Sequence, residues 1–328
     1  MAEQMLAADG RPLKASLNRA LRRQKLRALM LIAPLLLFIL LTFIIPIGQM
    51  LFRSVENQIV GDTIPRTVTA IADWDASAGE PPSDTVFIAL AKDLMIAVEQ
   101  KNHTRLGSRL NYETSGISSL FRKSGRRVDD MGEAYADQFI ALDEAWEDPA
   151  TWITLLADAD WITRQSEWDG EGSEPAFVVS ETAASALPKT TAMYADFAAT
   201  IRDVDDDSPT EEEPWNIVYL ALHEDLTTNP DVQIAGPKSA LLTTAAAHDQ
   251  RFAREDIRAT FEDIDDDWMD VDIWQTIQTY SPAFTSGYFL NAVDLQKTPH
   301  GPAWQPDNEQ IYLTLFWRTL VMSLTITV

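Results

Sequence analysis

The sequence predicts a mainly α membrane protein, with one complete N-terminal transmembrane helix, a large and mostly helical periplasmic domain, and the start of a second transmembrane helix. Three observations lead to this prediction. Residues 28–52 carry no charge, residues 311–328 become apolar again, and the apolar side chains between these two segments recur at helical spacing.

The first apolar segment is long enough to cross a bilayer. As a helix, residues 28–52 would extend about 37 Å, more than the ~30 Å hydrocarbon core. Residues 11–27 carry seven basic side chains and no acidic one, so residues 1–27 are predicted to be a cytoplasmic basic tail. Arg27 and Arg53 would flank the span as interface anchors. A cleaved signal peptide is the alternative, but it would have a shorter apolar core and a small-residue cleavage site.

The long middle region reads as an acidic periplasmic domain. Residues 53–310 contain 48 acidic and 18 basic side chains. Such a surface repels nucleic acid and attracts cations. The chain has no cysteine, which excludes disulfides and thiolate chemistry.

Apolar stripes at helical spacing indicate at least five helices in this domain. One extended stretch stands out at residues 176–179, and loops are predicted at residues 79–83, 169–173, 203–214 and 298–306. The sequence shows no obvious internal repeat. The stripes are Val86, Phe87, Leu90, Leu94, Met95 and Val98; Tyr135, Phe139, Leu142 and Trp146; Tyr194, Phe197 and Ile201; Trp215, Val218, Tyr219 and Leu222; and Ile257, Phe261 and Ile264.

The second apolar segment begins near the end of the given sequence. Residues 311–328 are predicted to be the truncated start of transmembrane helix 2, with Trp317 and Arg318 as interface anchors. The alternative is an apolar helix that packs on the domain itself.

Common catalytic signatures do not occur. The chain lacks a GxxxxGK[ST] phosphate loop, a GxSxG elbow and an HExxH pair, and its four histidines are far apart in sequence. We therefore expect no catalytic residue, no bound cofactor, no metal ligand and no enzyme activity in this chain. The acidic runs at residues 203–213 and 263–272 do not match a calcium loop and favour a solvated acidic face.

One cluster of tryptophans and carboxylates is a candidate cation or ligand site. Tryptophan faces and carboxylates together suit an organic polyamine cation. Tryptophans are also common core anchors, so this alternative stays open. The candidates are Trp146, Trp152, Trp161, Trp168, Asp158 and Asp160.

Several short segments resemble ABC importer permease subunits, the inner-membrane components of binding-protein-dependent transport, of the spermidine/putrescine type. The resemblance is strongest at the two ends of the region it covers and thin between residues 125 and 280. The segments are residues 43–48 (FIIPIG), 54–55 (SV), 64–67 (IPRT) with Trp74, 87–91 (FIALA), 109–112 (RLNY), 288–295 (YFLNAVDL) and 311–320 (IYLTLFWRTL) with Ser323 and Thr325.

This resemblance implies a multi-pass protein of the bacterial inner membrane with about six membrane helices and a large periplasmic insertion between the first two. It also implies three partners: an ABC ATPase subunit that uses the ATP, a second permease subunit, and a periplasmic solute-binding protein. The family's cytoplasmic Glu-Ala-Ala loop is not found in this sequence. The alternative is a single-pass membrane-anchored periplasmic sensor or binding module, and a membrane-tethered hydrolase is a third class.

Overall fold

The computed structural model describes residues 13–298, 301–307 and 310–327. It is mainly helical, with 67% of residues in helices, which confirms the mainly α part of the prediction. The helices are α1 (Leu13–Ile39), α2 (Ile45–Arg53), α3 (Gln58–Thr63), α4 (Pro65–Ala70), α5 (Asp84–Glu99), α6 (His103–Leu110), α7 (Ile117–Ser124), α8 (Glu133–Leu142), α9 (Pro149–Leu156), α10 (Ala159–Glu167), α11 (Glu181–Ala186), α12 (Pro188–Thr200), α13 (Asn216–Thr228), α14 (Ser239–Asp249), α15 (Ile257–Ile264), α16 (Val271–Thr279), α17 (Gly287–Asn291) and α18 (Tyr312–Thr327).

The first apolar segment is a helix that starts well inside the predicted basic tail. α1 passes through a π-helical turn at Leu40–Ile44 directly into α2. Pro46 explains this turn, because its ring cannot donate a backbone hydrogen bond and a wider turn accommodates the gap. The segment Gln24–Arg53 is long and apolar enough to cross a membrane, and none of its most apolar window is buried.

The second apolar segment is also helical. α18 has 16 residues, and its apolar stretch Tyr312–Ile326 is shorter than a full span. Its large apolar side chains are exposed, as Leu324 and Ile326 show, instead of packing on the rest of the chain. An exposed apolar helix of this kind needs lipid or another helix around it.

The residues between these two helices share one hydrophobic core, built from α3 to α16. The predicted stripes lie on α5, α8, α12, α13 and α15, and most of their side chains are buried. Three stripe residues lie just outside these helices. Trp146 is in a 3₁₀ turn after α8, Ile201 begins a π-helical turn after α12, and Trp215 directly precedes α13. The side chains of Trp146 and Ile201 are nevertheless buried.

Two predictions about extended structure need correction. Residues 176–179 form no strand, and Val179 makes only an isolated bridge to Ala157. The strands β1 (Leu295–Thr298) and β2 (Gly301–Trp304) pair antiparallel, and β2 lies within residues 298–306, where a loop was predicted. Glycine and proline at the start of β2 have the composition of a loop, and cross-strand hydrogen bonds override it.

Three blocks of sequence occur twice in the domain, contrary to the expectation that it has no repeat. Residues 64–74 read IPRTVTAIADW and residues 187–197 read LPKTTAMYADF. The second and third pairs are VFIALAKDL at residues 86–94 with VYLALHEDL at 218–226, and FIALDEAWEDPATW at 139–152 with FEDIDDDWMDVDIW at 261–274. The spacing between blocks differs in the two copies, which hides the repeat from a search for one fixed period.

Equivalent residues of the two copies make equivalent hydrogen bonds. Thr67 donates from its backbone N and its Oγ1 to Asp93 Oδ2 over 2.7 and 2.8 Å. Thr190 donates in the same way to Asp225 Oδ2 over 2.8 and 2.7 Å. Each pair of bonds ties a proline-initiated helix, α4 or α12, to the helix that carries the aspartate, α5 or α13.

The third block of each copy packs on the other copy. Phe87 of the first copy contacts Trp274 of the second, with ring centroids 4.8 Å apart in an edge-to-face arrangement. The equivalent pair, Tyr219 and Trp152, has the same arrangement at 5.0 Å. The two copies therefore exchange their tryptophan blocks, and neither copy closes its own core.

Candidate functional site

Three of the predicted ligand-site tryptophans lie in the core. Trp146, Trp152 and Trp161 are at most 1% exposed. The Trp152 indole donates to the Trp146 carbonyl over 2.8 Å, and the equivalent Trp274 donates to the Trp268 carbonyl over 2.7 Å. Trp146 and Trp152 thus form a packing element that Trp268 and Trp274 repeat in the second copy. Other aromatic rings contact Trp146, Trp152 and Trp161.

The remaining candidates lie at the edge of the same region. Asp158 accepts a hydrogen bond from the Asp160 backbone N over 2.9 Å and caps α10. Asp160 is exposed in the first turn of that helix, where a carboxylate stabilises the helix dipole. Trp168 is half-buried and donates to the Glu171 carbonyl. None of the six candidates lines either of the two clefts described below.

The acidic run at residues 263–272 and the equivalent acidic residues at 143–148 have a similar local explanation. Asp143 and Asp265 each accept a backbone hydrogen bond at the start of the 3₁₀ turn in the third block, and Asp148 and Asp270 do so at the start of the following helix. Helix caps of this type stabilise by ~1 kcal/mol each. Among the described residues, no group of acidic or histidine side chains has the arrangement of a metal site.

The predicted membrane anchors lie on the two apolar helices. Arg27 is exposed in α1, and Arg53 is the exposed last residue of α2. Trp317 and Arg318 are exposed in the second turn of α18. The structure contains no lipid, so their role as anchors stays a prediction.

Contacts between residues 55–57 and 283–285 close the domain at the end of the first apolar helix. Directly after α2, the backbone of Asn57 donates to the Ala283 carbonyl and that of Thr285 to the Val55 carbonyl, each over 2.8 Å. Phe52 of α2 contacts Phe284, with ring centroids 5.9 Å apart. The chain therefore returns to the end of its first apolar helix before it enters the second.

Buried polar side chains hold both junctions. Asn57 is 3% exposed and donates from Nδ2 to the carbonyls of Tyr280 and Pro282. Asp294 is 2% exposed, and its two carboxylate oxygens each accept a backbone hydrogen bond, from Tyr312 and Leu313, over 2.8 Å. Asp294 thus caps α18 from a distant part of the chain.

A separate cleft of about 590 Å³ lies among α8, α13 and the segment before α15. His223 lies on its wall, 7% exposed, and Nδ1 of the ring is 2.8 Å from the buried carboxylate of Asp249. Thr227 donates to the other carboxylate oxygen over 3.1 Å. The ring of Tyr135 stacks on the imidazole at 4.4 Å.

Burial shapes the ionisation of two groups in this cleft. Burial raises the pKa of Glu255, and the backbone N–H of Gly132, which donates to both carboxylate oxygens, opposes part of that rise. Burial also raises the pKa of Tyr135, whose hydroxyl accepts from the Glu255 backbone N over 3.1 Å.

Sequence reasoning missed this cleft. The four histidines are far apart in sequence, and the structure buries His223 and pairs it with Asp249. His223 and Asp249 lie on different helices, and no sequence motif joins them. The sequence feature that could have identified His223 as buried is the apolar block around it, which predicts a buried helix at this residue.

No protein-family model, curated protein or solved structure matches this chain. The function must therefore be argued from the apolar helices, the domain between them and its clefts.

Proposed function

We propose that this chain is a permease subunit of an ABC importer of the bacterial inner membrane, with residues 53–310 as a periplasmic insertion between two membrane helices. The observation that carries the proposal is the junction of Asn57 with Ala283. An insertion between two spans must return to the membrane face that it left, and the 2.8 Å hydrogen bond at this junction supports such a return.

The surface around the junction supports the same placement. Aromatic side chains are exposed there, and aromatic rings are enriched at membrane–water interfaces. They are Phe284, Tyr288, Phe289 and Trp304. In this arrangement residues 28–52 and α18 lie in lipid, residues 1–27 are cytoplasmic and the acidic domain is periplasmic.

The chain itself performs no covalent chemistry in this function. A periplasmic solute-binding protein delivers the solute to the acidic domain, and an ABC ATPase subunit uses ATP to switch the path formed with a second permease subunit. Differential binding of the partners to the two states of that path drives the cycle.

A polyamine such as spermidine or putrescine is the proposed solute, and an acidic cleft of about 390 Å³ supports a cationic one. Trp215 and Phe197 line this cleft together with six carboxylates. Burial raises the pKa of Glu99, and the nearby carboxylates of Asp205 and Asp129 raise it further. Carboxylates this close together concentrate negative charge in the cleft. The carboxylates are Glu99, Asp129, Asp205, Asp207, Glu212 and Glu213.

Deletion of the domain tests its role in transport. Replacing residues 58–282 with a short Gly-Ser linker joins two points that are already hydrogen-bonded, so both apolar helices should still insert. In cells with the complete transport system we expect uptake of labelled putrescine to be lost, with the amount of membrane-bound protein unchanged. Unchanged uptake would refute the docking role.

Cysteine labelling tests the orientation, because the chain has no cysteine of its own. Ser166→Cys should react with a membrane-impermeant maleimide in intact spheroplasts, since Ser166 is exposed on the domain. Ser16→Cys should react only after permeabilisation. The reverse pattern would contradict the proposed topology.

The second candidate is a membrane-anchored sensor or binding module, which the His223 cleft favours. Removal of residues 1–53 separates the two. A module with one anchor becomes soluble, whereas a permease subunit stays in the membrane through α18.

A further inference from the structure

The internal repeat provides a built-in comparison for His223. At the equivalent position of the first copy the residue is Ala91, which is fully buried in the same kind of helix. The next position also differs, with Lys92 in one copy and Glu224 in the other. The repeated packing therefore does not require an imidazole, and only the second copy carries one.

The hydrogen bonds of His223 determine which ring atom faces a ligand. The carboxylate of Asp249 can only accept, so Nδ1 carries the proton that it donates. Nε2 of the neutral ring is then an acceptor, and it has no hydrogen bond with any residue that the structure describes. Nε2 is not among the fully buried polar atoms that lack a partner, so it is accessible from the cleft that His223 lines, and a donor that enters the cleft can bond to it.

The carboxylates of the cleft already have partners within the protein. Glu224 contacts both Lys92 and Lys189. Glu255 accepts from the Gly132 backbone N, and the Asp256 carboxylate accepts from the Ala259 backbone N over 3.0 Å. Asp84 lies 3.8 Å from the guanidinium of Arg258.

Arg254 is the exception among the charged groups of this cleft. It lines the cleft and is exposed, and its guanidinium makes no ion pair with any described part of the chain. A guanidinium offers paired donors whose geometry fits a carboxylate. The cleft thus presents one unpaired hydrogen-bond acceptor, Nε2 of His223, and one unpaired set of donors, the guanidinium of Arg254.

We propose that this cleft binds a free α-amino acid, with the ligand's ammonium group on His223 Nε2 and its carboxylate on Arg254. Leu220, Ile88 and Ile257 line the same cleft and favour an apolar side chain. The domain has many more acidic than basic residues, so a ligand with net negative charge is repelled. A zwitterion has no net charge, and a polyamine has no carboxylate for Arg254. This site is separate from the proposed transport path and does not depend on it.

Binding of labelled L-leucine to the full chain in detergent, measured by equilibrium dialysis, tests the site. We expect saturable binding that weakens about 10- to 100-fold in Arg254→Gln, the change expected for loss of a hydrogen-bonded charge pair. Leucine methyl ester, which lacks the carboxylate, should bind the wild type as weakly as leucine binds that variant. The matched control is Arg251→Gln, an exposed arginine outside the cleft lining, which should bind as the wild type does.

His223→Ala converts the second copy to the residue of the first and should also weaken leucine binding about 10-fold or more. If this variant unfolds, Arg254→Gln still decides, because Arg254 is exposed. Absence of saturable leucine binding up to millimolar concentration would overturn the proposal. So would equal affinities in Arg254→Gln and Arg251→Gln, or tighter binding of succinate or putrescine than of leucine at this cleft. Lost putrescine uptake with intact leucine binding would count against the transport proposal alone.

Discussion

Replacing Thr190 with valine tests whether the buried threonine–aspartate pair holds the repeat together. Thr190 Oγ1 donates to Asp225 over 2.7 Å, and Asp225 is 3% exposed. A hydrogen bond to a charged group contributes ~1.5–3 kcal/mol, and burial of the added methyl returns at most ~0.8 kcal/mol. We expect the free energy of unfolding to fall by about 1–2 kcal/mol.

Thr67→Val is the matched change in the first copy. Thr67 Oγ1 donates to Asp93 over 2.8 Å, so a similar loss is expected. Because each copy completes the core of the other, both variants should shift one common unfolding transition. The double variant should lose about the sum of the two, provided that the sites do not interact.

Urea titration of the full chain in a mild detergent, followed by tryptophan fluorescence and far-UV circular dichroism, measures these losses. The titration is carried out at pH 8, where Asp93 is ionised because its raised pKa is about 6. Thr244→Val is the control, since its exposed hydroxyl bonds only within α14, and it should change stability by less than ~0.5 kcal/mol. Two separate transitions, with Thr190→Val shifting one of them, would refute the exchange of blocks.

Two further predictions concern buried sites. Burial raises the pKa of Asp93 from 3.8 to about 6, so its contribution to stability is present below pH 3.8 and is lost as the pH rises through 6. Asp93→Asn should therefore remove part of the pH dependence of the urea midpoint between pH 4 and 7, and an unchanged pH profile would contradict this. In Gly132→Ala the new Cβ would lie 2.5 Å from the Asn216 carbonyl oxygen at a φ of +93°, so we expect a loss of about 2–5 kcal/mol. Gly172→Ala has a similar φ of +79° and open space, so only about 1–2 kcal/mol should be lost; equal losses in these two glycine variants would show that the contact with Asn216 is unimportant.

The parts of the fold that were predictable are those with local causes. The stripe on α5 reads directly as a helix, because Val86, Leu90 and Leu94 recur at a period that only a helix places on one face. The charge-free run before Arg53 reads as a membrane helix for a similar reason, since length and composition decide it. The prediction of a loop at β2 was wrong, because Gly301 and Pro302 have the composition of a loop and antiparallel pairing with the neighbouring strand β1 decided the outcome.

The candidate site was not predictable in the same way. The tryptophan cluster was predicted to be a ligand site from its composition, but the structure places Trp146, Trp152 and Trp161 in the core. His223 was not predicted to be a site residue, because its partner Asp249 comes from another helix. A hydrogen bond between residues on different helices leaves no pattern in either local sequence.

The sequence by itself determined the helical class, the first apolar helix, the acidic character of the domain and the absence of cysteine chemistry, because each depends on composition or on short-range period. Tertiary structure alone decided three things. It paired His223 with Asp249, it closed the domain at Asn57 and Ala283, and it exchanged the tryptophan blocks between the two copies. All three depend on contacts between residues far apart in the chain, and such contacts form only where packing repays the entropy of closing the loop between them.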